Sequence, residues 1–460
     1  MRDIQNLIVG LGKTGLSCAR YFAKSGESFV VIDSRNAPPG LAELHNEFPQ
    51  ATLSLGGFDA ALLARAQRLL ISPGVTLAEP AVAAAIRDGV EVVGDIELFA
   101  RAAHAPVVAV TGANGKSTVT TLVGEMIRDA GFEVRVGGNL GPPALDLLAD
   151  TQSNQSPSGV VNPAGGIKDE PDFYVLELSS FQLETTRSLN AAAAVVLNIS
   201  PDHLDRYDDV SDYVAAKQRI YRGDGVMVIN GDDAWVRGMI EPGRKLVRFS
   251  LAAPAPGDFG ICERDGQLWL AKGAELLLSA AELRIKGLHN VANALAALAL
   301  GDAVGVPMPS MLDTLRRFAG LPHRTQWVAS RDGVDWYDDS KGTNVGATLA
   351  ALQGMPGKVV LIAGGLGKGQ DFTPLKAAVA AKARAVVLLG QDAPRIARSL
   401  AGAVPVVHVK DMEEAVEQAA RLAEAGDAVL LSPACASFDM FEDYEHRGEV
   451  FSAAVQGRLP

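Results

Sequence analysis

Apolar residues along this chain fall in short uninterrupted blocks, separated by glycine turns and by longer stretches with helical spacing, rather than in the strict alternation of a half-exposed sheet. The first block, "NLIVGLG", leads into the amphipathic "SCARYFAKS" and then a second block, "FVVID". Continuous blocks of this kind predict strands buried on both faces of a parallel sheet, with helices packed on either side. "RLLIS" and "VEVVGD" extend the first unit, which ends near Asp95 to Phe99. A second unit contributes "VVAVTG", "FYVLELSS", "AAVVLNIS" and "GVMVIN". Between Pro254 and Ile285 the pattern changes to short antiparallel strands, and "GLHNVANALAALALGDAVGV" predicts a helix with an alanine-rich packing face. A third unit opens around Gly320 to Arg324 and supplies "VDWYDDS", "KVVLIAGG", "RAVVLLG", "PVVHV" and "DAVLLSPA" as strands. Asp150 to Pro171 is polar and rich in Ser, Pro and Gly, which predicts a long surface loop with a tendency to disorder.

Composition narrows the function classes. A chain of 460 residues suggests about three domains at roughly 150 residues each. With 48% hydrophobic and 21% charged residues it has the balance of an ordinary globular protein. Its net charge of −12 leaves no global positive field for a nucleic-acid backbone, so anionic ligands need local donors. Cys18, Cys262 and Cys435 lie far apart, with neither a C-x-x-C pair nor a disulfide framework, which points to a reducing compartment. The opening "MRDIQNLIVGLG" lacks a signal-peptide pattern, and no apolar run approaches the roughly 20 residues of a membrane span. The expectation is a cytoplasmic protein that neither spans a membrane nor binds nucleic acid.

Four groups of loops carry candidate chemistry. Gly10-x-Gly12-x-x-Gly15 follows a strand and Asp33 ends the next one. That spacing suits a phosphate at a helix N-terminus and an acid on a ribose, or equally a glycine turn that binds nothing. "TGANGKST" nearly matches the phosphate loop G-x-x-x-x-G-K-[ST], with Val110 where the first glycine belongs. Backbone N–H groups from Gly112 to Lys116 would converge on phosphate oxygens, Lys116 would neutralise them, and Ser117 or Thr118 would reach Mg²⁺. Glu177, closing "FYVLE", offers a further oxygen ligand for that metal. The third group places Asp202, His203, Asp205 and Lys217 in "NISPDHLDRY" and "AAKQRIY", either a capping turn or a second metal site. The fourth, "GLPHR", "DDSKGTN", "GGLGKGQDF" and "LSPACASFDMFEDY", gathers Arg, Lys, Ser and Thr in loops suited to carboxylates or phosphates. The predicted class is α/β: three consecutive domains, Rossmann-like over 1–97, a phosphate-loop-type ATPase domain with a mostly parallel sheet over 98–319, and Rossmann-like again over 320–460.

Taken in order, "GLGKTGLS", "SPG", "TGANGKST", "GGNLG", "LELSSFQLE", "DHLDRY", "AAKQRIY", "HNVANALAA", "GLPHR", "DDSKGTN" and "LSPACAS" resemble the Mur ligase family of ATP-dependent amide-forming enzymes over almost the whole chain. The family's phosphate loop is shorter than the general one, which accounts for Val110. The resemblance implies that D-glutamate is added to UDP-N-acetylmuramoyl-L-alanine through an acyl phosphate, in the cytoplasmic synthesis of peptidoglycan precursors, by a monomer. It assigns the UDP-linked substrate to Gly12, Lys13, Thr14, Ser34, Ser72, Gly74 and Asn139. ATP falls to Gly112, Ala113, Asn114, Gly115, Lys116, Ser117, Thr118, Asn290, Asn293, Arg324 and Asp339. Two Mg²⁺ ions fall to Ser117, Thr118, Glu177, His203 and a carbamylated Lys217, and glutamate to Lys341, Thr343, Lys368, Ser437 and Tyr444. The catalytic set implied is Lys116, Glu177, His203 and Lys217. Two departures stand out: Leu366 where the family commonly has an aspartate, and Tyr444 where a phenylalanine is usual.

Other readings compete. The glycine turn with Asp33 also fits a nicotinamide-dependent dehydrogenase, and the phosphate loop alone fits an ATP-driven switch or motor. A folylpolyglutamate-type or L-glutamate-adding ligase is the near alternative, although the folylpolyglutamate branch lacks the first hundred or so residues.

Overall fold

The computed structural model describes residues 2–457 apart from 149–169, 201–205, 208, 286 and 356. Its first sheet is wholly parallel and comprises β1 (Ile4–Val9), β2 (Phe29–Asp33), β3 (Thr52–Leu55), β4 (Ala66–Ile71) and β5 (Glu91–Val93), in the order β3-β2-β1-β4-β5. The direction of winding reverses between β1 and β4, and Gly10 and Ser72 follow those two strands at the crevice where such sheets bind ligands. Gly10 has φ +97°, and a Cβ on Gly15 would lie 2.2 Å from the Gly10 carbonyl oxygen, so both positions need glycine.

The second sheet contains β6 (Val107–Thr111), β7 (Val134–Gly138), β8 (Phe173–Glu177), β9 (Ala193–Val196), β10 (Val226–Asn230), β11 (Leu246–Phe249), β12 (Phe259–Arg264), β13 (Gln267–Lys272) and β14 (Glu275–Ser279). Its order is β14-β13-β12-β11-β10-β9-β6-β8-β7. The strands pair in parallel up to β12, after which β12, β13 and β14 form the expected antiparallel edge. The helices Lys116–Asp129 and Leu288–Ala303 pack together over this sheet, with Leu122 and Met126 in one apolar cluster with Ala294 and Leu298. The alanines allow the two backbones to approach closely, which is why the second helix is alanine-rich.

The third sheet has β15 (Gln326–Arg331), β16 (Val334–Asp338), β17 (Val359–Gly364), β18 (Ala383–Leu389), β19 (Val406–His408) and β20 (Ala428–Leu431), in the order β15-β16-β20-β17-β18-β19. Only β15 runs antiparallel. The sequence reading missed it, because "QWVASR" is a mostly exposed edge strand with no apolar block. Asp332 and Gly333, both at positive φ, form the two-residue turn that pairs it with β16.

Apolar cores divide unequally among the units. Leu11 and Phe22 belong to one cluster with Phe99, Leu145, Tyr174 and Leu176, so the first two units share a core. Phe99 meets Tyr174 edge to face with ring centroids 5.0 Å apart. The third unit has two clusters of its own, one on each face of its sheet. Among the described residues no helix is long and apolar enough to cross a membrane.

Candidate active site

The loop between β6 and the helix beginning at Lys116 is shaped by glycines. Gly112 has φ +153° and Gly115 has φ +83°, and a Cβ on Gly115 would lie 2.4 Å from Asn293 Oδ1. Asn198, at the end of the neighbouring strand, grips the loop. Its backbone oxygen accepts from Ala113 N at 2.9 Å, its Oδ1 accepts from Asn114 N at 2.8 Å, and its Nδ2 donates to Asn114 O at 3.1 Å. Two of the N–H groups expected to face a phosphate are therefore engaged within the protein. The first turn of the following helix retains N–H groups with no partner inside the helix, which suit an anion. Lys116 Nζ folds back onto Gly112 O and Ala113 O, both at 3.0 Å.

Parallel pairing sets Val110 beside Glu177, so the carboxylate ends its strand next to this loop. Glu177 is buried; Oε1 accepts from Asn139 Nδ2 at 2.6 Å, while Oε2 has no hydrogen-bond partner. Burial pushes its pKa upward, but the Lys116 charge and the Ser117 and Asn139 side chains outweigh that and hold it below the ordinary value. A buried ionised carboxylate with one oxygen idle is a fitting ligand for a hard cation. Lys217 is buried on the other side, its Nζ 2.9 Å from Gly112 O and 3.3 Å from Thr111 Oγ1. His203, with Asp202 and Asp205, lies outside the described residues, as does most of the 150–171 segment.

From the third unit, Arg324 crosses to the phosphate-loop helix, its Nη2 donating to Ser117 Oγ at 2.5 Å. Asn344 and Asn114 exchange side-chain amide hydrogen bonds of 3.2 and 3.4 Å. Asp339 is buried, accepts from Ser432 Oγ at 2.7 Å and Thr325 N at 3.1 Å, and is pushed up to about 7 by burial. Lys341 is held down at about 8, first by burial and then by Arg324 and Lys116, and its Nζ sits 3.6 Å from the centre of the Tyr444 ring.

Two cavities result. One, of about 340 Å³, lies between the second and third units and is lined by Asn114, Gly115, Thr118, Asn290, Asn293, Arg324 and Asp339. The other, of about 360 Å³, draws its wall from all three units: Gly74 from the first; Ala113, Lys116, Ser117, Asn139, Glu177 and Lys217 from the second; Lys341, Thr343, Lys368, Ser437 and Tyr444 from the third. Asn114, Gly115, Arg324 and Lys341 line both, so the cavities meet at the phosphate loop.

The remaining sequence candidates stand apart. Gly12, Lys13, Thr14, Ser34 and Ser72 line neither cavity; Ser34 is exposed, and Ser72 Oγ donates to Gly10 O at 2.7 Å. Asp33 is committed locally. It accepts from Leu11 N at 2.7 Å and pairs with Arg35, and against the upward push of burial these partners hold it at about 2. A carboxylate so engaged is not offered to a ribose, which removes the main support for a nicotinamide enzyme.

Asn198, Asn344 and Arg447 escaped the sequence reading. Arg447 is buried, and its guanidinium donates to Ser340 Oγ, Ser340 O and Cys435 O, tying together the loops that carry Lys341 and Ser437. A lone arginine in a helix gives no sign of this role, and the neutral amides have no charge to draw notice. Leu366 meets Ala436 through two backbone hydrogen bonds of 2.9 Å, a contact that does not depend on the side chain, so the departure costs nothing there. The added hydroxyl of Tyr444 donates to Glu445 Oε1 at 2.7 Å. Among the described residues, non-glycine positive φ is confined to two hairpin turns and to His323, Thr325, Lys368 and Ala434, all in the loops around this site. Left-handed backbone of that kind costs on the order of 1–3 kcal/mol per residue and persists where its surroundings enforce it.

Comparison with known proteins accords with this geometry. Residues 4–94 match the N-terminal domain of the Mur ligase MurD-like family, 110–301 the Mur ligase middle domain, and 323–435 the Mur ligase glutamate ligase domain. The chain is 56% identical to the UDP-N-acetylmuramoylalanine--D-glutamate ligase of Nitrosococcus oceani over 98% of this chain and 96% of that protein. It is 53% identical to the enzyme of the same name from Pseudomonas aeruginosa over 99% and 98%. Among solved structures, the UDP-N-acetylmuramate-alanine ligase MurC of Thermotoga maritima superposes with a TM-score of 0.59 at 18% identity, covering 99% of both chains. MurF from Acinetobacter baumannii gives 0.59 at 17% identity, covering 99% of this chain and 92% of its own. At these identities the two structures speak for the fold alone.

Proposed function

The chain belongs to the Mur ligase family, and on that premise we propose how its residues divide the work of an ATP-dependent carbon–nitrogen ligase. The reaction is the addition of D-glutamate to UDP-N-acetylmuramoyl-L-alanine in peptidoglycan synthesis, with ATP giving ADP and phosphate. The observation that carries the assignment of residues is the cavity walled by all three units, with Lys116 and Glu177 in its lining.

ATP occupies the cavity between the second and third units, its base end beside Asn290 and Asn293 and its phosphates at the N-terminus of the helix Lys116–Asp129. Asp339 and Arg324 hold the nucleotide from the third unit. The UDP-linked substrate extends from the glycine turn of the first unit past Ser72 and Gly74, and Asn139 positions its alanyl end. Lys116 turns from its own loop carbonyls to the transferring phosphoryl group, whose charge it neutralises while the alanyl carboxylate attacks. Lys341, Thr343, Lys368 and Ser437 then hold the glutamate carboxylates so that the amine faces the activated carbonyl, converting an encounter into a positioned attack. Lys341 borders both cavities, which suits it to both steps.

Glu177, Ser117 and Thr118 fit one Mg²⁺, because the idle Glu177 oxygen and the two hydroxyls are the hard donors it prefers alongside phosphates and water. His203 and Lys217 are proposed for a second. An ammonium cannot ligate a cation, whereas a carbamate on Lys217 would supply a carboxylate-like oxygen pair and keep one N–H for Gly112 O. Bound metal would supply charge neutralisation at the phosphoryl oxygens.

The test is phosphate release with UDP-N-acetylmuramoyl-L-alanine, ATP and Mg²⁺, with D-glutamate and L-glutamate offered separately. Release that depends on D-glutamate and matches amide formation is expected; no glutamate-dependent release overturns the reading. Lys217→Ala should lose activity and regain part of it with short-chain carboxylates, and full activity without rescue would exclude the carbamate.

A further inference from the structure

The loop that carries Ser437 is buried up to that residue and then turns outward. Ala436 and Ser437 are 3% and 2% exposed, whereas the next residue, Phe438, is 68% exposed. The turn is held firmly. Met440 N and Phe441 N both bond Ser437 O, at 3.0 and 2.9 Å. Asp439 Oδ2 accepts from Gln391 N at 2.8 Å, and Arg447 anchors Cys435 O at 3.1 Å. Phe438 is thus fixed in an outward position, and among the described residues its ring has no aromatic partner.

That position lies on the wall of the reaction cavity. Phe438 borders the same space as Lys116 and Glu177, with Pro73 and Gly74 of the first unit on its margin. An apolar ring presented by a rigid turn at the edge of a charged cavity gains burial only when something fills that cavity.

Resting on the ligase reading above, we propose that Phe438 caps the activated carboxyl by packing on the alanyl end of the UDP-linked substrate and excluding water from it. The chemistry needs such a cap. The alanyl carboxylate oxygen takes the γ-phosphoryl group and ADP leaves. The glutamate nitrogen then attacks the acyl carbon, the C–N bond forms, the C–O bond to phosphate breaks, phosphate departs and the amine proton passes to solvent. Water attacking the same acyl phosphate returns carboxylate and phosphate, so ATP is consumed without product. An apolar cover at this edge favours the amine, which is held by its own carboxylate contacts, over water, which is not.

The test measures phosphate released per amide formed in the full-length enzyme and its Phe438→Ala and Phe438→Leu variants, with and without the UDP-linked substrate. The wild type is expected to give one phosphate per amide. Phe438→Ala should raise hydrolysis relative to amide formation by roughly tenfold, only when the UDP-linked substrate is present, and Phe438→Leu should restore most of the coupling. Because the side chain is exposed, the melting temperature should not move. A Phe438→Ala enzyme that keeps one phosphate per amide overturns the cap, whether or not its rate falls, and so does excess phosphate release that needs no UDP-linked substrate. Absence of ligation in the wild type would instead overturn the functional reading on which the cap rests.

Discussion

The joint between the first and second units and the joint between the second and third are built from different materials. At the first, Leu11 and Phe22 share an apolar core with Tyr174 and Leu176, and side-chain hydrogen bonds cross it. Glu97 accepts from Arg187 N at 2.6 Å, Ser188 N at 2.9 Å and Ser188 Oγ at 2.9 Å; Gln182 donates to Asp95 at 3.2 Å; and Ser17 donates to Asp146 at 2.6 Å. At the second, the cores of the described residues stay separate, and the side-chain bonds across the nucleotide cavity include the Arg324–Ser117 contact and the Asn114–Asn344 pair. A packed joint resists motion because its pieces fit in one arrangement, whereas a few polar contacts around a cavity exchange readily with ligand and water. The difference teaches that stability should reside at the first joint and chemistry at the second.

The sharpest test is Lys116→Ala, beside the second joint. Turnover should fall by about a thousandfold or more, with the denaturation midpoint nearly unchanged; a large loss of stability would break the contrast. Next is Glu97→Ala at the first joint, which strands two backbone N–H groups. Urea denaturation should show a loss of about 3 kcal/mol, and an unchanged midpoint would mean that the joint is not where stability resides. A third effect is in pH. Burial pushes Asp95 up to about 6 from its ordinary 3.8, so the folded state holds its proton more tightly than the unfolded chain. The stability it confers is fully present below about pH 4 and is lost as pH rises through about 6, a change of roughly 2–3 kcal/mol. Calorimetry across that window should show the decline, and Asp95→Asn should flatten it. Smallest is Asn344→Ala, expected to cost under about 1 kcal/mol of stability while changing turnover less than tenfold; a larger stability loss would show that the second joint is packed after all.

Most central strands were legible in the sequence because strands buried on both faces must be written as continuous apolar blocks. β3, β7, β11 and β15 were not: β3, β7 and β15 are edge strands with no such block, and the short β11 is broken by Arg248. At the site, Gly115, Lys116, Glu177 and Lys217 announced themselves through residue type, and the fold brings them around one cavity. Asp33 misled for a physical reason: an acid at the right offset from a glycine turn can bind its own loop as well as a ribose. Asn198, Asn344 and Arg447 act through hydrogen bonds between loops distant in sequence, which no local pattern encodes.

The shared core of the first two units bears on how this chain could be recombined. Cutting near residue 97 would divide one hydrophobic interior and leave Phe22 and Tyr174, on opposite fragments, each stripped of cover that the other side supplies. Cutting near Gly320 would detach a unit whose interior is already its own. A chimera that exchanges the last unit with that of a relative should therefore fold more readily than one that exchanges the first, so the piece proposed to hold the incoming amino acid is the piece most easily replaced.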